Sequence, residues 1–311
     1  MIDEVRTELR LAVRSFVLPV FLVLAAVFAI LNVVNTSSLV QSDYALVQHT
    51  RAEYAANHMD FAADLRKPVV ITKQNGGESI SNLARYDYDT MVAAKEAISP
   101  ASTVPETLKY FGFVIFPAIF FLLGLWMLTS QRRHHLEKAT LVRAGTVKTI
   151  AARQVSLLVC AIAIIAVVEL VDVIARSIAQ AVLAHSIPFA VFEPLSAQPV
   201  QDSWAQWGVI LVVVLFFGWG GIAVGAFAGV FAVPGIVFLG WDFIVPILGP
   251  NDPRNWFIVL AHGVFRYDAG FQLAPSVSLA LPLALSATLV TTIALAGLGY
   301  LGIRIRNPLA T

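Results

Sequence analysis

Residues 203–241 contain no Asp, Glu, Lys or Arg. No water-soluble domain presents a run of that length without charge. As a helix rising ~1.5 Å per residue it exceeds the ~20 residues that cross a ~30 Å hydrocarbon core. With the segment up to 249 it fits two crossings, with a turn in the Gly- and Pro-bearing stretch 225–234 (GAFAGVFAVP).

Similar runs recur. Residues 15–34 are uncharged, and 108–130, 154–184 and 279–303 are apolar throughout most of their length. Only 13% of the 311 residues are charged and 58% are hydrophobic, against roughly 25% charged in soluble proteins. A secretory signal is the rival reading of 15–34. Signal h-regions run only ~7–15 residues and end in a small-x-small cleavage site, whereas this run is longer and leads into NTSSLVQ. The expectation is therefore an all-α polytopic membrane protein with six transmembrane helices: 15–34, 108–130, 154–184, 203–228, 230–249 and 279–303.

Basic residues set the orientation. With six crossings both termini share a side. That side holds Arg6, Arg10, Arg14, Arg132, Arg133, Lys138, Arg143, Lys148, Arg153, Arg304 and Arg306. These lie within roughly 50 residues, whereas the other basic residues spread over roughly 130, so the dense side is cytoplasmic and the topology N-in/C-in. Segments 1–14, 131–153 and 304–311 are then inside. Residues 3–14 read as a short amphipathic entry helix, with Val5, Leu9, Ala12 and Val13 on one stripe.

The outer side receives 35–107, read as a small α+β insertion between helices 1 and 2. Val40, Tyr44, Val47, Arg51, Tyr54, His58, Phe61 and Leu65 recur at steps of four and three, which predicts a helix over 40–65. PVVIT, NGG and ESISN predict a β-hairpin, and 87–98 a second helix. So small a unit has little core and is expected to lean on the membrane part or on a second copy. Residues 250–278 are unusually apolar for an external loop. They fit a re-entrant segment, or alternatively a helix lying in the interface.

No soluble-enzyme signature is present. The chain has no Gly-Lys pair and hence no P-loop, and it lacks HExxH, CxxC and GxSxG. No catalytic, cofactor-binding or metal-ligating residue is assigned, and the chain is expected not to be an enzyme. The single cysteine, Cys160, reads as a core residue. His134-His135 are adjacent, a poor spacing for metal ligation on a helix. A net charge of +1 gives no argument for nucleic acid.

Acids inside spans are costly. Glu169 and Asp172 share a face of the third span, and Asp242 lies at a similar depth in the fifth. They are candidates for a substrate-path lining or a proton-coupling site. The alternative is local pairing: Asp172 with Arg176, Glu169 with a neighbouring helix, and Asp242 with Arg254 or the interface. Gly221, Gly225 and Gly229 are spaced for close helix packing, although the turn before the fifth span draws on the same glycines.

The order of parts, together with EKATLVRAGTVKTIAARQVS at 137–156, resembles the ABC-2 class of ABC transporter permeases. Glu137, Thr140, Leu141, Ala144-Gly145, Arg153 and Gln154 stand in the family's order. Where the family often has a proline-bearing step before the arginine, this chain has TVKTIAAR. The 35–107 insertion, with KPVVIT and YDYD, resembles that of Gram-positive antibiotic or bacteriocin export and self-protection permeases.

The resemblance implies that 131–153 is the coupling element docking on a separate ATPase, with Glu137, Thr140, Leu141, Arg143, Gly145 and Arg153 as coupling residues. It implies two ATPase copies that bind ATP and Mg, no cofactor in this chain, and a second permease copy, identical or not. The membrane would be the bacterial cytoplasmic membrane. The expected function is ATP-driven export of an amphipathic cargo, a lipid, lipopeptide or antibiotic peptide. The alternative is a sensor or immunity protein whose external domain binds a ligand without net transport.

Overall fold

The computed structural model describes residues 1–74, 77–133, 137–195, 202–267, 273 and 279–306. The chain is a helical multi-pass membrane protein. Among the described residues, five helices are long and apolar enough to cross a bilayer. They are α2 (Val17–Ala56), the composite helix of α5 (Thr103–Tyr110), a π turn (Phe111–Ile115) and α6 (Phe116–Arg133), α8 (Thr146–Leu183), α9 (Ser203–Ala228) and α12 (Leu281–Arg306). α6 and α9 form the central pair. α2 and α12 are peripheral, and Val23, Leu31, Val290 and Ile293 are largely exposed along them. In water such surface would drive aggregation, whereas lipid solvates it.

The fifth expected span, 230–249, contains a shorter helix. α10 runs only Ala232–Phe243, twelve residues, or ~18 Å, well short of a ~30 Å core. Pro246, Gly249 and Pro250 follow its end. Proline lacks the N–H a helix needs and disfavours helical geometry at the residue before it. A second short helix, α11 (Pro253–Val264), begins after the break. Asp252 caps it, accepting from Arg254 N at 2.9 Å, and Pro253 occupies its first turn.

α11 runs antiparallel to α9. Phe257 packs on Phe216 and Phe217 with ring centroids 5.0 and 5.3 Å apart, while seven residues later the Val264 carbonyl accepts from Gln206 Nε2 at 3.1 Å. α10 runs in the same direction. Gly235 lies against Leu122, and Phe238 stacks on Phe121 at 3.8 Å.

Small residues let α6 and α9 touch backbone to backbone. A Cβ placed on Gly221 would lie 2.1 Å from Phe121 O, and one on Gly124 would lie 2.0 Å from Gly218 O. Gly225 meets the Leu125 and Leu128 side chains. Gly229 departs from the expected packing stripe. It ends α9 in the left-handed conformation, φ 72°, where glycine alone avoids a steric cost.

The helix expected over 40–65 is the continuation of the first span. NTSSLVQ contains no breaker, and Thr36 and Ser37 return their hydroxyls to Asn32 O and Val33 O, so α2 continues unbroken to Ala56. The chain then turns through His58, φ 54°, into α3 (Phe61–Leu65). Strands β1 (Ile71–Gln74) and β2 (Gly77–Ile80) pair antiparallel, with Ile71 opposite Ile80. Asn82 caps α4 (Leu83–Ile98), accepting from Arg85 N at 3.1 Å.

At forty and thirty-eight residues, α2 and α8 are ~60 and ~57 Å long, so each projects beyond a bilayer. Their projecting ends enclose one core with α4. Val40, Val47, Met91, Ile98, Leu183, Ile187 and Phe192 are buried together. Lys95 donates to Phe192 O at 2.6 Å, and the Tyr88 hydroxyl accepts from Glu193 N at 3.1 Å. The insertion therefore leans on α8 and the segment after it.

Candidate functional site

Among the described residues, three places bring together charged groups that an apolar bundle would otherwise exclude. The first is the basic end, where α1 (Ile2–Arg14) packs on the start of α8. Glu8 Oε1 lies 3.3 Å from Arg153 Nε, with both side chains buried, and Ser156 Oγ donates to Val5 O at 3.3 Å. A buried pair of this kind fixes register, because a shifted helix would strand one charge. Arg153, expected to contact a partner, is instead fully buried against the entry helix.

Helix α7 (Glu137–Ala144) precedes α8. Its Leu141 is buried, and Gly145, φ 78°, makes the sharp step into α8, its N–H bonding Leu141 O at 2.8 Å. Val142, Arg143, Val147 and Lys148 face outward, with Val142 81% exposed. Thr140 is half-buried. The Glu137 side chain, along with His134 and His135, lies outside the described residues.

The second place is α8 beside α5. Asp172 Oδ2 pairs with Arg176 Nε and accepts from Thr107 Oγ1 at 2.6 Å, while Arg176 Nη1 donates to Ala97 O. All four residues are buried, so the pairing of Asp172 with Arg176 is local, one helical turn apart. Glu169 Oε1 and Asp172 Oδ1 are buried without a hydrogen-bond partner among the described residues. Nearby, Lys109 is also buried, bound to Glu106 at 2.7 Å.

The third place is the break between α10 and α11, and Arg254 organises it. Its Nη1 donates to Trp241 O at 2.7 Å and Val245 O at 2.6 Å, with a longer contact to Asp242 O. Its Nη2 donates to Pro246 O at 3.0 Å and Asp252 Oδ2 at 2.7 Å, and its Nε to Asp252 Oδ1 at 3.1 Å. The guanidinium also lies 4.4 Å from the Trp241 ring centroid. A helix end in an apolar region leaves carbonyls without partners, and this one cation reaches those of Trp241 and Asp242 in the last turn of α10 and of Val245 and Pro246 just beyond it.

Asp242 does not join the other span acids. It lines a 250 Å³ cavity with Phe113, Pro117, Val213, Phe217, Arg254 and Phe257. A larger cavity of 770 Å³ lies at the elbow between α1 and α2. Phe16, Val20 and Phe21 face Trp126, Ser130 and Phe231 across it.

Sequence reasoning named Arg254 only as a neighbour for Asp242. The Asp252-Pro253 pair was the available signal: a capping residue followed by proline marks a helix start, and hence a helix end before it. The pairing of Glu8 with Arg153, far apart in sequence, carried no local signal. Among the described residues no group of three His, Cys, Asp or Glu is placed to hold a metal. Comparison of the chain with protein-family models, curated proteins and solved structures finds no match.

Proposed function

We propose that this chain is the membrane-spanning subunit of an ATP-driven exporter, working with a separate ATPase and a second permease copy. The observation that carries the reading is α8. It is unbroken from the exposed step at Val147 and Lys148 to the core it shares with α2 and α4 at the hairpin end. A push on α7 passes through Gly145 and buried Leu141 into a ~57 Å rod. The clamp between Glu8 and Arg153 carries α1 with it. Rigid elements of this kind transmit small displacements over the thickness of a membrane.

In this reading the basic end is cytoplasmic, and Val142, Arg143, Val147 and Lys148 form the docking surface, with Glu137 beside them in sequence. α10 and α11 together supply the sixth crossing, interrupted halfway, which keeps both termini inside and puts the hairpin unit outside. Broken helices at membrane depth recur where transporters line a cavity. The cargo is amphipathic, entering from the lipid, since the 770 Å³ elbow cavity is almost wholly apolar. ATP and Mg are bound by the partner.

The test is a pull-down of the tagged full chain from its own cells in mild detergent. A stoichiometric P-loop ATPase should co-purify, and Arg143→Glu with Glu137→Arg should release it. A chain that purifies alone, without ATPase activity, would sink the proposal. It would favour instead a sensor or immunity protein acting through the external unit.

A further inference from the structure

We propose that the cavity at the α10–α11 break is a binding site for an organic ammonium ion, its cationic nitrogen beside Asp242 and its apolar part among Phe113, Phe217 and Phe257. The argument begins with the charges. Three ionisable side chains meet at the break: Asp242, Asp252 and Arg254. A guanidinium has five N–H donors. In Arg254 they go to Asp252 twice and to the carbonyls of Trp241, Val245 and Pro246. One face of the guanidinium is covered by Trp241. The cation is thus committed to Asp252 and to the helix end, and it has no donor left for the Asp242 carboxylate.

Among the described residues no hydrogen bond reaches that carboxylate; only the Asp242 backbone carbonyl is contacted, by Arg254 at 3.4 Å. Counting Asp242, Asp252 and Arg254, the site carries one uncompensated negative charge. A carboxylate at such depth costs several kcal/mol unless something neutralises it.

The walls select the counter-ion. Three phenylalanines and two prolines are among the residues that line the space, and aromatic faces attract cations that shed their water easily. Ammonium groups bearing carbon substituents meet that requirement, whereas among the described residues of the lining a hydrated metal ion finds a single carboxylate and no further oxygen side chain. At 250 Å³ the cavity holds a headgroup-sized fragment rather than a whole lipid. Ile244 and Leu248 beside the break are 82% and 73% exposed, so a tail attached to that fragment continues into the lipid. An ammonium-bearing lipid headgroup and a free amphipathic amine share this chemistry.

The probe is benzyltrimethylammonium, with neopentylbenzene as its uncharged isostere, added to the full chain in a neutral maltoside detergent. Saturable binding and a raised melting temperature are expected for the cation alone. Asp242→Asn should weaken binding at least tenfold, and Asp242→Glu and Glu169→Gln should retain it. Equal binding of the isostere, or unchanged affinity in Asp242→Asn, would overturn the proposal. The wild-type comparison of cation with isostere decides even if the Asn variant fails to fold.

Nanodiscs distinguish the sources. With a lipid headgroup as occupant, phosphatidylethanolamine competes with the probe and phosphatidylglycerol does not. With a free amine as occupant, the two lipids leave probe affinity equal. No ATPase enters the assay, so this site and the exporter reading stand or fall separately.

Discussion

Replacing Arg254 with methionine removes the cation that bonds across the helix break, and its cost follows from what is left behind. Asp252 is nearly fully buried and would lose both guanidinium bonds, keeping only the backbone N–H groups of Leu248 and Arg254, at 3.1 and 2.9 Å. Breaking one side of a buried ion pair costs about 3–5 kcal/mol. The carbonyls of Trp241, Val245 and Pro246 would also lose charge-assisted donors, each worth ~1.5–3 kcal/mol where nothing replaces it. These terms share one side chain and do not add in full, so the expected loss is about 4 kcal/mol. Arg254→Lys keeps the charge but not the fork, and should cost about half as much. Combining Asp252→Asn with Arg254→Met should recover about 2 kcal/mol relative to the sum of the single changes. Equilibrium unfolding of the purified chain by SDS in mixed micelles reads all four. An Arg254→Met variant within about 1 kcal/mol of wild type would refute the view that this cation closes the break.

Other perturbations test other parts of the fold. Arg153→Met should destabilise the chain by about 3 kcal/mol by stranding buried Glu8, and protease cleavage within residues 1–14 should accelerate; an unchanged cleavage rate would mean that α1 is not clamped. Gly221→Val, whose Cβ would meet a backbone carbonyl at 2.1 Å, should cost at least about 2 kcal/mol in the same unfolding titration, whereas Gly297→Ala, with nothing within 4 Å of its Cβ, should be close to neutral. Burial raises the Asp87 carboxyl above its ordinary value, and its hydrogen bond from Thr50 offsets this only in part. The folded state therefore holds a proton that the unfolded state releases from about pH 4. This contribution is fully present below that pH and is lost as pH rises through the raised value. Protection of the α4 amides, taken relative to their intrinsic base-catalysed exchange at each pH, should consequently fall from acid to neutral pH, and Asp87→Asn should flatten that dependence. A dependence unchanged in the variant would assign it to another group.

The sequence by itself determined the membrane character. Uncharged runs near twenty residues leave no other solvent for these helices, and α9 (Ser203–Ala228) lies within the charge-free stretch 203–241. Legible too were the local devices, read from residues a few positions apart: the pairing of Asp172 with Arg176 one turn later, and the glycine spacing that lets α9 approach a neighbour. Composition did not reveal that α2 runs on past the span, because polar residues after Val34 look the same in a helix and in a loop. Nor did it reveal that 230–249 holds only a short helix, since Pro246 ends it within a stretch as apolar as any span. Tertiary structure alone decided which distant groups meet. Arg153 reads as a loop cation until Glu8 is folded onto it, and Arg254 reads only as a neighbour for Asp242 until α10 ends beneath it. In both cases the partner is chosen by the packing of helices rather than by the spacing of residues. That packing also leaves the carboxylate of Asp242 facing a cavity while the nearest cation is fully committed elsewhere.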